Sequence, residues 1–120
     1  MKRLTKIGFF KELRYGDPDG PSIHNSLGSD WRIFINNIID YLRQGNIFIM
    51  SPGLSHDYFK KAAIIGPGPN ILTDGQFAWP SDLMYYIKNY QVELPDSFLL
   101  HMKDRFWRIS EGVNTDELAL

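Results

Sequence analysis

From Asp30 to Gln44 the apolar residues Trp31, Phe34, Ile35, Ile38, Ile39 and Leu42 fall at i, i+3, i+4, i+7, i+8 and i+11. That spacing places all six on one side of an α-helix, with Arg32, Asn36, Asp40 and Arg43 on the other. Ser29 stands where a side-chain oxygen caps free first-turn N–H groups, and Gly45 where a left-handed C′ residue ends a helix. Directly after it, Ile47-Phe48-Ile49-Met50 is a short apolar run halted by Pro52-Gly53. Its length and β-branched content predict a buried strand. Helix, glycine, buried strand is the unit around which the rest must be arranged.

Upstream, Ile7, Phe9 and Leu13 stand among polar residues, and Leu4–Leu13 reads as a strand. Gly16-Asp17-Pro18-Asp19-Gly20-Pro21 is a loop, because its prolines lack an N–H and its glycines invite positive φ. Downstream, Leu54–Lys61 reads as a helical turn and Ala62–Ile65 as a strand, and Gly66-Pro67-Gly68-Pro69 breaks the chain. Asp74-Gly75 between Ile71-Leu72-Thr73 and Gln76-Phe77-Ala78-Trp79 predicts a hairpin with a two-residue type I′ turn. In that register Thr73 opposes Gln76 and Leu72 opposes Phe77, and Phe77 and Trp79 share the core face. Pro80 and Pro95 each stand at an expected first helical position, where the missing N–H costs nothing. The predicted fold is α+β: a small antiparallel or mixed sheet, with a hairpin near 71–79, packed against helices at about 30–44, 80–90 and 95–107. One domain over 1–120 is expected, with a tail that frays from about residue 112.

The 120 residues are 43% hydrophobic and 14% aromatic, enough for one core without staples. Having no cysteine, the chain has no disulfide framework, thiol nucleophile or thiolate metal site. Met1-Lys2-Arg3 opens like a signal peptide but no apolar stretch follows, and no segment approaches the roughly 20 apolar residues of a membrane span. The expectation is a cytoplasmic protein with no membrane partner. The net charge of −1 argues against nucleic acid, whose binders gain affinity by neutralising phosphates. The local exception is Lys103-Asp104-Arg105-Phe106-Trp107-Arg108, read here mainly as the exposed and buried sides of one helix end.

Catalytic signals are sparse. Ser55-His56-Asp57 holds the residue types of a hydrolytic triad, but sequence neighbours cannot face one another as a triad requires. His24, His56 and His101 show no i, i+4 metal spacing. The prolines of Gly66–Pro69 remove the N–H groups a phosphate loop needs. No catalytic, cofactor-binding or metal-binding residue is therefore assigned, and no enzyme activity is expected. Asp17 and Asp19 lie in a proline-restricted loop that suits recognition, since it loses little entropy on binding. Tyr85 lies off the Leu83/Ile87 stripe, as an exposed interface anchor would. With Asp57 these form the expected partner-binding patch: Asp17, Asp19, Asp57 and Tyr85.

Leu72-Thr73-Asp74-Gly75-Gln76-Phe77-Ala78-Trp79-Pro80-Ser81-Asp82-Leu83-Met84-Tyr85-Tyr86, continuing to Leu94-Pro95-Asp96-Ser97-Phe98, resembles a group of small bacterial proteins. Some stand beside polymorphic toxin genes and look like immunity proteins. The resemblance covers about 62–106 and departs at Phe77, where tryptophan is commoner. It implies an immunity protein that binds and neutralises a cognate toxin domain by occluding its active site. Were that toxin a nuclease, acids would mimic phosphate and speed association. Two other classes stand beside it: a small metal-dependent hydrolase built on His24 and His56, and a nucleic-acid-binding module built on Lys103, Arg105, Trp107 and Arg108.

Overall fold

The computed structural model describes residues 1–27, 34–110 and 112–120. The element order is β1 (Lys2–Arg3), β2 (Thr5–Lys6), a 3-10 turn at Ile23–Ser26, α1 (Ile35–Arg43), β3 (Asn46–Ile49), β4 (Leu54–His56) and β5 (Ile64–Pro67). It continues with β6 (Ile71–Thr73), β7 (Phe77–Pro80), α2 (Leu83–Tyr90), α3 (Asp96–Asp104), a 3-10 turn at Thr115–Glu117 and β8 (Leu118–Ala119). The class is α+β, as expected. Four strands form a mixed sheet in the order β2-β7-β6-β3, with β2 parallel to β7 and the other pairs antiparallel. Two-stranded ribbons, β4-β5 and β1-β8, complete the architecture.

Alternation along β6 and β7 sorts their side chains onto two faces. Leu72, Phe77 and Trp79 join Ile38, Tyr41 and Leu42 of α1, Leu83, Tyr86 and Ile87 of α2, and Phe98 and Met102 of α3 in the main core. Ile71 and Ala78 join Leu4, Phe9 and Leu118 in a smaller cluster. Trp79 is fully buried, and its indole N–H donates to the Leu42 carbonyl at 3.3 Å. Helix α1 therefore lies on the sheet face that Trp79 occupies, as its stripe requires.

Several expectations are corrected. The hairpin joins Leu72 to Trp79 and Thr73 to Ala78, two residues away from the type I′ register. The reason is Asp74, whose carboxylate accepts the N–H groups of Gln76 and Phe77 and so closes a longer loop, Asp74–Phe77. A slip of two preserves the faces, so Phe77 and Trp79 still point into the core. Gly45 does not take a left-handed conformation; a Cβ there would lie 2.8 Å from both Leu72 Cβ and Trp79 Cζ2, so close approach is what requires glycine. Strand β3 is an edge strand of the four-stranded sheet rather than a buried one, with Ile47 51% exposed.

Leu54–His56 is a strand, not a helical turn, and Gly66 and Pro67 continue β5 rather than breaking the chain. Pro80 closes β7, opposite Ile71, so α2 begins only at Leu83. Pro95 immediately precedes the first residue of α3. That helix stops at Asp104, three residues short of the expected end. In the tail, expected to fray, β8 pairs parallel with β1, and Leu118 is buried in the smaller cluster. The start of the first helix, with Ser29 and Trp31, lies outside the described residues. Among those described, no helix is long and apolar enough to cross a membrane.

Candidate functional site

Two of the four predicted contact residues meet, but inward. Asp57 follows β4 and is only 1% exposed. Its carboxylate accepts four hydrogen bonds: from the N–H of Phe59 at 2.7 Å and of Lys60 at 3.0 Å, and from the hydroxyls of Tyr85 at 2.7 Å and Tyr90 at 2.6 Å. Tyr86, between those tyrosines on α2, accepts the Tyr58 N–H at 3.0 Å. Segment 57–60 is thus fastened to one helix through three tyrosines. Burial works to raise the Asp57 pKa, but the hydroxyls of Tyr90 and Tyr85 and the two N–H donors outweigh it and hold the carboxyl below its ordinary value. The Tyr90 hydroxyl, donating to that carboxylate, is pushed up to about 12. Tyr85 is half-buried rather than a free aromatic anchor, because Asp57 occupies its hydroxyl.

The loop aspartates stay at the surface. Asp17 pairs with Lys6 at 3.5 Å and also accepts the Asp19 N–H at 3.1 Å, while the Asp19 side chain is exposed. Asp57 does not join them as a solvent-facing acid, since its oxygens are already filled.

A second buried acid organises the hairpin. Besides the two backbone donors, Asp74 receives the Tyr41 hydroxyl, and His101 Nε2 lies 2.8 Å from the same oxygen. Burial opposes the Asp74 charge, but the Phe77 N–H, the Tyr41 hydroxyl, the Gln76 N–H and His101 together lower its pKa. Tyr41 is raised, chiefly by burial and then by the carboxylate it faces. His101, which showed only the lack of metal spacing in the sequence, is the lock between α3 and the loop. The third buried acid, Asp82, receives the Ser55 hydroxyl, and burial pushes its carboxyl up.

Ser55-His56-Asp57 is split by strand alternation. Ser55 and Asp57 face inward to different partners, and His56 is exposed. His24 lies against Tyr58, with Nε2 3.2 Å from its hydroxyl, and against the Phe59 ring. No group of three His, Asp or Glu among the described residues is placed to hold a metal ion. A hollow of about 390 Å³ beside Asp57 is lined by Glu12, Arg14, His56, Tyr58 and Lys61. Glu12 is engaged there by the Ser22 hydroxyl at 2.5 Å and the Ile23 N–H at 2.8 Å.

The outer surface offers different chemistry. Of the ten large apolar side chains that stand exposed among the described residues, Ile47, Ile49, Met50, Leu54 and Ile64 come from the stretch 47–64, on or next to β3, β4 and β5. Half of the exposed large apolar residues among those described thus come from 18 consecutive positions. Sequence reasoning missed this surface because an apolar run at that length reads as core. Tyr90 was equally hidden, since its role depends on where segment 57–60 lands. No protein-family model, curated protein or solved structure matches the chain.

Proposed function

We propose that this protein is a binding protein of the immunity type, which neutralises a cognate toxin domain by covering its active site or substrate surface. The observation that carries the reading is the exposed apolar stretch at the sheet edge. Ile47 is 51% and Met50 73% exposed, and Ile49, Leu54 and Ile64 of the same stretch of chain are exposed too. Apolar side chains gathered on an edge strand invite unwanted association unless a partner covers them. The resemblance over residues 62–106 supplies the class of partner. Its residues carry fold, since Asp74, Trp79, Asp82, Tyr85 and Tyr86 are all occupied internally. The contact surface therefore falls outside the motif residues over 72–98, on the β3–β5 side, with the Asp17–Asp19 loop as its acidic candidate.

The test couples capture to rescue. The tagged protein is used to isolate a partner from its native host, and the partner's domain is then expressed alone in a foreign host. The reading expects growth arrest that co-expression of this chain relieves. A captured domain that is harmless, or a toxic one that this chain fails to neutralise, ends it. The alternative metal-dependent hydrolase reading keeps His24 and His56 together, whereas they engage Tyr58 and solvent respectively.

A further inference from the structure

Helix α3 ends in a turn that carries an anomaly. The Phe106 N–H donates to the Lys103 carbonyl at 3.0 Å and the Trp107 N–H to the Met102 carbonyl at 3.0 Å, the paired bonds of a Schellman cap. That motif places its C′ residue in the left-handed region, where glycine is the usual choice. Here C′ is Phe106, at φ +55°, followed by Trp107 at φ +60°. A bulky residue at positive φ is strained, and such strain persists where the surroundings hold it and concentrates at functional sites.

The strain gains Phe106 no internal packing, for the side chain is 82% exposed. The surroundings are nevertheless rigid. Trp107 stacks on Phe34 with ring centroids 5.6 Å apart, and Lys103 Nζ lies 4.1 Å from the centroid of that ring. The Gln44 side-chain amide donates to the Trp107 carbonyl at 3.0 Å and accepts the Ile109 N–H at 3.0 Å. Gln44 stands two residues before β3, so the turn is tied to the start of the apolar sheet edge.

An exposed aromatic ring on a braced, pre-shaped turn loses little conformational freedom when it is buried by a partner. We infer that Phe106 is an interface anchor, inserted into an apolar pocket with an acidic rim on a partner protein. The rim follows from charge: Lys103, Arg105 and Arg108 flank Phe106 along the chain, against one acid in that run, Asp104. Nucleic acid fits less well. With a net charge of −1 the chain has no basic surplus to neutralise a run of phosphates, and the cations here amount to one short cluster. This inference deepens the binding reading given above and rests on it for the existence of a protein partner.

The test places a photoreactive benzoylphenylalanine at Phe106 of the full chain, with a second version carrying it at Ile49, and irradiates both in host lysate. The inference expects one protein crosslinked from position 106. With that protein purified, Phe106→Gly weakens binding at least about tenfold. The same substitution raises the melting temperature by relieving the left-handed strain, a combination that a structural role cannot give. Arg108→Glu slows association, most at low salt. Crosslinking from position 49 but not 106 overturns the anchor while leaving the binding reading intact. Crosslinks to nucleic acid or to a second copy of this chain overturn it too, as does unchanged affinity in Phe106→Gly. No protein crosslinked from either position sinks both.

Discussion

Three buried aspartates show how surroundings, rather than residue type, decide whether a charge helps the fold. Asp57 has four donors, so its charge is welcome; Asp82 receives only the Ser55 hydroxyl among the described contacts, so its charge is opposed by burial. Asp57→Ala strands two N–H groups and two tyrosine hydroxyls, and is expected to cost about 2–4 kcal/mol in urea unfolding at neutral pH. Because the folded pKa of Asp57 is depressed, its stabilisation is present above the unfolded carboxylate value, about pH 4, and fades as pH falls through the folded one. Asp82 has the opposite sign: its folded pKa is raised, so stability present in acid is lost as pH rises through that value. Asp82→Asn keeps an acceptor for Ser55 and removes the charge. It is expected to raise the melting temperature at pH 7 and to have no such effect below about pH 4. A variant less stable than the parent at pH 7 would refute the assignment. Asp57 reads from the sequence as a surface contact; its burial, like that of Asp82, was not legible, because both depend on where β4 packs.

At the scale of elements, the sequence carried period and faces well and boundaries poorly. The α1 stripe and the shared face of Phe77 and Trp79 are local consequences of side-chain periodicity; Phe34, Ile35, Ile38 and Leu42 of the stripe meet the core, joined by Tyr41, which the stripe left out. The hairpin register was not legible, because Asp74 closes its loop with a side chain whose other partners, Tyr41 and His101, lie 33 and 27 residues away. Gly45 makes the same point and yields a test. Were it a left-handed C′ residue, asparagine would replace it at small cost, since Asn tolerates that conformation. The structure instead puts the Cβ position 2.8 Å from Leu72 and Trp79 atoms, backed by the fully buried indole. Gly45→Ala is therefore expected to cost about 1–3 kcal/mol by overpacking, and Gly45→Asn more, as chemical denaturation would read. Asparagine performing better than alanine would restore the helix-cap explanation.

The whole molecule is held partly by a contact that no local pattern announced. Lys2–Arg3 and Leu118–Ala119 pair in parallel, which joins the first and last described segments across more than a hundred residues. The Leu4 N–H donates to the Ala119 carbonyl at 2.6 Å, and an Arg3 guanidinium N–H reaches the Leu120 carbonyl at 3.2 Å. Leu118 enters the smaller cluster with Leu4, Phe9, Ile71 and Ala78, on the sheet face away from α1. The tail reads as polar in Asn114, Thr115, Asp116 and Glu117, which is why fraying was expected; Leu118 alone is too little apolar sequence to predict docking. If the tail is part of the fold, Leu118→Ala leaves a cavity over Ala78 and should cost about 2–3 kcal/mol, the lower part of the range for buried leucine truncation. The exchange pattern separates this from a local effect. Amide protection should fall not only at Leu4, whose N–H donates to Ala119 of the tail, but also at Ile7, whose N–H donates to the Ala78 carbonyl in the neighbouring sheet. Protection lost only within 112–120, with the unfolding midpoint unchanged, would mean that β8 rests on the surface without supporting it, and that the smaller cluster is closed by Leu4, Phe9, Ile71 and Ala78 alone.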